Sequence, residues 1–222
     1  MQLYLREEIQ GEAQVRNPPD FARFLPIAAL FHGQVVNVAG IAREAEVARS
    51  TVQGYVDILE DTLLALRLPA YEARLRVRER KRPKLYWLDP GVVRAAKQAR
   101  GPAAPEEAGA LLEGWVHTLL QTYMAERELG DDLTYWAPAE SRRVEVDFLL
   151  RRERELCALE VKPARRFNPQ HLAGLRAVAG LPEVRRRVLI YRGDHALRTE
   201  DGIDVWPVAT FLDALAAGKL WP

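Results

Sequence analysis

The stretch that most constrains this chain is residues 144–162, VEVDFLLRRERELCALEVK, in which apolar and charged residues alternate on either side of a charged centre. Val144, Val146, Phe148 and Leu150 share one face of a strand, and Glu145, Asp147 and Leu149 share the other. In the second run Cys157, Leu159 and Val161 lie on one face, with Ala158, Glu160 and Lys162 opposite. Arg151 to Glu155 is charged at every position, so it forms the tip of a hairpin. A hairpin centred there sets Asp147 directly opposite Glu160, and Glu145 opposite Lys162.

That register has a chemical consequence. Directly opposed residues have β-carbons roughly 5 Å apart, and magnesium sits about 2.1 Å from each oxygen it binds. Asp147 and Glu160 can therefore share one divalent ion, with Lys162 beside it. The plainer alternative is an exposed hairpin face carrying a Glu145–Lys162 salt bridge, which is common and contributes little. Against that alternative, like charges set opposite one another destabilise a sheet. An Asp147–Glu160 pair without a cation is thus a poor choice for stability alone.

The chain has 222 residues with 48% hydrophobic composition, enough for one large domain or two small ones. Its formal net charge is +1, so no overall polycation argues for nucleic acid. The lone Cys157 falls on an apolar strand face and reads as a small buried hydrophobe in a reducing compartment. No run approaches about 18 apolar residues, and no basic-then-apolar leader opens the chain, so a cytoplasmic protein without membrane contact is expected. Heavy use of Arg, Leu, Ala and Pro with scarce Asn, Gln, Met and Cys suggests a thermophilic source. The sequence holds neither a G-x-x-x-x-G-K-[ST] loop nor a G-x-G-x-x-G turn, so no nucleotide is expected on this chain.

Leu3 to Val15 has moderate helical character before Asn17-Pro18-Pro19-Asp20 interrupts it. A helix with Phe21, Phe24, Leu25, Ile27, Ala28 and Phe31 then runs to Gly33. Val38 and Ile41 to Ala45, the turn Glu46-Val47-Ala48, and a second helix capped by Ser50 have the form of a helix-turn-helix. The second helix presents Val52, Tyr55, Val56, Leu59 and Leu63 inward. Alternation in Leu75-Arg76-Val77-Arg78 and in Leu85-Tyr86-Trp87-Leu88 makes a two-stranded wing with a basic tip. Asp89-Pro90-Gly91 opens one more short helix. The second helix carries Asp57, Glu60 and Asp61, so it offers little for phosphate contact and a docking role suits it better. Arg76, Arg78, Arg80, Lys81 and Arg82 in the wing are the candidate nucleic-acid residues, a solvated arginine-rich loop being the alternative.

Gly101 to Pro105 looks like a linker, which divides the chain into residues 1–19, a domain over 20–100 and a second over 106–222. Glu106 to Glu128 forms one long helix with Leu112, Trp115, Val116, Leu119, Leu120 and Tyr123 as its buried stripe. Glu113 lies on the flank of that stripe, either as a site carboxylate or as an ordinary edge residue, and His117 follows one turn on. A strand at Leu133–Trp136, the hairpin, a helix capped by Asn168, strands at Arg187–Tyr191 and Ile203–Trp206, and a closing helix from Pro207 complete the order.

This order, with Asp147 followed by Glu160-x-Lys162 across the hairpin and Glu113 on the preceding helix, resembles the PD-(D/E)XK nuclease fold. More widely, the segments TVQGYVDILEDTLLALRLP, KLYWLDPGVV, LLEGWVHTLL, YW…EVDFLL and LEVK resemble the C-terminal region of a prokaryotic family of AAA+ ATPases. In that family a winged helix precedes an uncharacterised nuclease-like domain. The resemblance implies an α/β (α+β) chain: an N-terminal winged helix-turn-helix, then an α-β-β-β-α-β restriction-endonuclease-like domain. It also implies that residues 1–19 are the tail of an ATPase module, the chain being either a stand-alone homologue or a truncated ATPase.

The chemistry so implied is metal-dependent phosphodiester hydrolysis on DNA. Asp147 and Glu160 would hold Mg²⁺ or Mn²⁺, Glu113 would bind through water or support a second ion, and Lys162 would orient the attacking water. DNA and an ATPase module or chain are the expected partners. Arg142-Arg143, Arg165-Arg166 and Arg185-Arg186-Arg187 could guide a nucleic-acid backbone, although from Glu106 onward 19 acidic residues outnumber 16 basic ones. The alternative is a non-catalytic DNA-binding or docking module that regulates an ATPase.

Overall fold

The computed structural model describes residues 15, 17–72, 82–138 and 144–221. The expected helix over Leu3–Val15 (Val15 apart), the wing residues Arg76, Arg78, Arg80 and Lys81, and Arg142-Arg143 lie outside the described residues. The chain is mixed α/β and divides into two compact units, one made of residues up to 67 with 83–115, the other of 68–82 with 116 onward.

In the first unit, α1 (Pro18–Leu30) starts where the sequence asks it to. The Asn17 side chain accepts a hydrogen bond from the Asp20 amide at 3.3 Å, and Pro18 and Pro19 occupy positions whose N–H has no helical partner. Gly33, at φ +71°, turns the chain into β1 (Gln34–Val35). Asn37 caps α2 (Val38–Ala45) by accepting from the Gly40 amide at 3.0 Å, and left-handed Glu46 ends that helix. α3 (Arg49–Asp61) buries Val52, Tyr55, Val56 and Leu59 as expected. Two details differ. Ala48 is the residue before α3 and makes no side-chain cap, so Ser50 lies inside the helix. Leu63 follows the helix end at φ +53° and is 68% exposed, outside the helical repeat that would have turned it inward.

β2 (Ala65–Leu68) and β3 (Lys84–Trp87) join β1 in a sheet of order β1-β3-β2, with Val35 paired to Lys84 and Gln34 to Leu85. All four residues of β3 are buried, so the strand is covered on both faces and the expected in-and-out alternation does not hold. Asp89 caps α4 (Pro90–Ala96) by accepting from the Val92 amide at 3.0 Å. Phe21, Phe24 and Tyr55 stack with centroids 5.0–5.7 Å apart at the centre of this core.

The long helix α5 (Pro105–Arg127) counts with the first unit through Trp115 and with the second from Val116 on. The sequence marks Gly101–Pro105 as the divider instead. In the second unit β4 (Asp132–Trp136), β5 (Val146–Arg152), β6 (Glu155–Lys162), β7 (Val184–Tyr191), β8 (Leu197–Arg198) and β9 (Asp204–Pro207) form one sheet of order β4-β5-β6-β7-β9-β8. β4, β5 and β6 are antiparallel neighbours, and β7 runs parallel to both β6 and β9. The helix expected after Asn168 is a 3₁₀ turn (Pro169–Leu172), the short α6 (Ala173–Ala177) and a second 3₁₀ turn (Val178–Gly180). Its Leu172, Leu175 and Val178 pack with Leu149, Ala158, Leu189 and Val205 of the sheet. α7 (Val208–Ala216) follows directly on Pro207. Cys157 is fully buried, and burial pushes its thiol up to about 12, leaving an inert neutral group.

Candidate active site

The hairpin turns at Glu153-Arg154, with Glu153 in the left-handed region at φ 55°. Arg152 pairs with Glu155, Leu150 with Cys157 and Phe148 with Leu159. One further step in that register sets Asp147 across from Glu160, as the charged tip predicts. Their surroundings differ from an exposed hairpin face. Asp147 is 6% and Glu160 5% exposed, and their neighbours on both strands are buried. The carboxylates lie on the face that carries Leu149 and Ala158, the one covered by the α6 segment.

Each group is held by the local backbone. Asp147 Oδ2 accepts the Val161 amide at 2.8 Å, which ties the acid to the partner strand. Lys162 Nζ donates to Glu160 Oε1, two residues back on the same strand, while about a third of its side chain stays open to solvent. Two acids and one ammonium, nearly dry, leave a net negative charge in a region where charge is costly.

The α6 segment closes over this pair because residue 174 is glycine. A methyl group added at Gly174 would sit 1.8 Å from the Glu145 carbonyl oxygen and 3.4 Å from Glu160 Oε2. One helical turn earlier, His171 lies under the influence of Lys162. Its imidazole is held below the usual histidine range by burial first and by the Lys162 ammonium second. Sequence reasoning missed both residues. The signal that could have found them is their spacing of three behind the Asn168 cap, which repeats the spacing of two between Glu160 and Lys162.

Glu113 stands in the first unit with partners of its own. Its Oε1 accepts from Lys84 Nζ at 3.2 Å and from the Tyr86 hydroxyl, with Lys84 only 3% exposed. Among the described residues no three or more His, Cys, Asp and Glu side chains are gathered to hold a metal ion. His117 is buried and packs its ring 6.0 Å from that of Phe148. Of the wing residues Arg82 is described: it is exposed, and its carbonyl accepts the Tyr135 hydroxyl at 2.6 Å.

The arginine run at 185–187 is spent on the fold itself. Arg186 pairs with Asp204 at 3.0 Å and donates to the carbonyls of Lys219, Leu220 and Trp221. Arg185 reaches Glu155, and Arg187 reaches the carbonyls of Leu175 and Asp201. On α3, Asp57 and Glu60 are both paired with Arg67, so the helix's acidic face is neutralised from within its own unit. No helix of the described residues is long and apolar enough to cross a membrane.

Residues 1–103 match the domain of unknown function DUF8612, and residues 108–211 match the domain of unknown function DUF4143. The uncharacterized proteins Rv2008c of Mycobacterium tuberculosis and Mb2031c of Mycobacterium bovis are each 27% identical to this chain over 195 residues. The match takes in 86% of this chain and 42% of theirs, so the chain spans less than half the length of these curated relatives. The crystal structure of protein VC1899 from Vibrio cholerae aligns with 91% of this chain and 55% of its own, at 15% identity and a TM-score of 0.37, too remote to argue from.

Proposed function

We propose that the second unit is a PD-(D/E)XK-type, metal-dependent DNA phosphodiesterase module, and that the first is a winged helix-turn-helix serving it. The observation that carries the reading is the Asp147–Glu160 pair. Two carboxylates face each other on adjacent strands, each about 95% buried, with one lysine between them and solvent. A site that concentrates like charge in a dry place at the expense of stability is a candidate for function.

The donor set fits a hard divalent cation in chemistry, though with two acids rather than three. Asp147 and Glu160 would hold Mg²⁺ or Mn²⁺, and a bound ion there supplies positive charge to a phosphate and acidifies a water. Asp147 is fixed for that role by the Val161 amide. Lys162, held by Glu160 and partly open, can orient water and offset negative charge on a phosphate. The reading does not depend on Glu113, whose carboxylate is engaged by Lys84 and Tyr86.

DNA is the proposed substrate, with Arg76, Arg78, Arg80, Lys81 and Arg82 as phosphate contacts and an AAA+ ATPase module or chain as partner. The support for both is the sequence resemblance. A second reading, a docking module without catalysis, is favoured by the internal pairing of the α3 acids with Arg67 and of Arg185–Arg187 with the fold.

Purified protein incubated with linear, supercoiled and branched DNA separates the two. Cleavage should require Mg²⁺ or Mn²⁺, and Asp147→Ala, Glu160→Ala and Lys162→Ala should each abolish it in a protein that still shows a cooperative melt. In the same preparation, replacing Arg76, Arg78 and Arg80 with Ala should flatten the log–log salt dependence of DNA binding by about three units. No cleavage of any substrate with either metal sinks the nuclease reading and leaves docking.

A further inference from the structure

His171 is a group that neither the hairpin motif nor the resemblance accounts for. Its Nδ1 is enclosed, and no described protein group hydrogen-bonds to it. Enclosed polar atoms in folded proteins nearly always have a partner, and when the protein supplies none the partner is water or a ligand. The residue sits on a rigid mount. Asn168 accepts from the Gln170 amide at 2.9 Å to start the 3₁₀ turn, and Pro169 fixes its first residue.

The placement follows from two matching repeats. Glu160 and Lys162 are two residues apart on β6, so they point to the same face about 6.6 Å apart. His171 and Gly174 are three apart on a segment that passes from 3₁₀ to α, so they share a face at a rise of about 5–6 Å. Gly174 lies against Glu160 Oε2. The same register brings His171 to the Lys162 end, and the Lys162 ammonium acts on the imidazole. Carboxylate, ammonium and imidazole therefore stand in a row under one short helical segment.

We infer that His171 is a further residue of this site, its imidazole hydrogen-bonding a phosphate oxygen of a nucleic-acid backbone beside Lys162. This rests on the reading of the site as one that handles phosphodiesters, and it adds a neutral hydrogen-bonding group where the motif supplies only charges. Mounted on a short segment of its own, His171 can fix the orientation of a phosphate that Lys162, a flexible point charge, attracts without orienting.

The chain has four histidines, so ring signals of protein carrying ¹³C-labelled histidine are few enough to assign with a His171→Gln variant. Ca²⁺ replaces Mg²⁺ to permit binding without cleavage, and a 12-base-pair DNA duplex and a single strand of equal length are the probes. The His171 signal should move saturably with DNA, and Lys162→Met should move it before DNA is added. His171→Ala should weaken DNA affinity about tenfold, the loss of one hydrogen bond to a charged group. His171→Asn, which can place an amide where Nδ1 stood, should recover most of it.

DNA that binds without moving the His171 signal, or with unchanged affinity in His171→Ala, overturns the assignment whether or not the protein cleaves. A His171 response with no cleavage by wild type in Mg²⁺ keeps His171 as a phosphate-binding residue and removes the nuclease reading. Failure of both oligonucleotides to bind overturns both.

Discussion

Each unit buries a small charged cluster, and the two clusters are built on opposite principles. In the first, one acid meets one base and one hydroxyl: Glu113 accepts from Lys84 and Tyr86, three groups on β3 and α5. In the second, two acids meet one base: Asp147 and Glu160 face each other, and Lys162 bonds to one of them. Matched charge needs nothing from outside, so the first cluster is explained by holding β3 against the helix. Unmatched charge leaves a deficit that the fold does not remove. A buried acid is informative about function only when the count of charges around it fails to balance.

The largest effect should come from unbalancing the first cluster. Glu113→Ala leaves the Lys84 ammonium buried without its carboxylate, and breaking such a pair costs about 3–5 kcal/mol. Replacing both residues, Lys84→Met with Glu113→Leu, should recover much of that loss, because well-packed apolar groups often replace a buried pair without penalty. Denaturant melts of the two variants decide it. A single substitution that costs less than about 1 kcal/mol would remove the structural explanation of Glu113 and reopen its candidacy as a site acid.

A smaller loss should appear on acidification, also in the first unit. The Trp87 amide donates to His32 Nδ1 at 3.1 Å, so the proton sits on Nε2, which donates to the Ala110 carbonyl at 3.0 Å. Gly114 makes room for the ring, since a methyl there would lie 2.2 Å from Nε2. Burial pushes the imidazole down to about 4; the bond to Ala110 works against this, and Lys97 adds to it. A second ring proton would point at the Trp87 N–H. The unfolded chain takes up that proton near pH 6.5 and the folded one only near pH 4. The stabilisation is therefore complete above about pH 6.5 and is lost as pH falls toward 4. The loss by pH 5 is about 2 kcal/mol. Histidine NMR should show the His32 ring still neutral at pH 5.5 while stability has begun to fall. A His32 ring that titrates near 6.5 removes this source of acid sensitivity.

What the sequence reveals of these clusters differs in kind. The register that opposes Asp147 to Glu160 is legible because a charged tip between two alternating strands leaves little freedom in where the hairpin turns. The caps at Asn17, Asn37, Asp89 and Asn168 are legible for the same local reason. Ser50 misleads because it follows Arg49 and Ala48 inside a start that has no side-chain cap. Partners remote in sequence are not legible. Lys84 and Glu113 are 29 positions apart, and neither β3's burial on both faces nor the charge balance can be read from alternation. His171 and Gly174 were hidden for a further reason: the helix carrying them is broken into 3₁₀ and α pieces, which blurs a single 3.6-residue repeat.

The smallest expected change is the sharpest test of the contrast. Asp147→Asn removes one of two opposed charges and keeps an oxygen able to accept the Val161 amide that Asp147 Oδ2 now takes at 2.8 Å. The cavity stays filled and the strand tie survives, so only electrostatics change. Repulsion with Glu160 falls, while the bond between Glu160 and Lys162 is untouched. Without divalent metal the melting free energy should therefore stay within about 0.5 kcal/mol of wild type or rise. Were Asp147 kept for structure, like Glu113, its neutralisation would cost about 1 kcal/mol or more. That result would erase the difference between the clusters and make Asp147–Glu160–Lys162 a second structural triad. A neutral or stabilising result, together with loss of stabilisation by millimolar Mg²⁺ in the variant, marks the second cluster as one that the fold tolerates for the sake of a ligand.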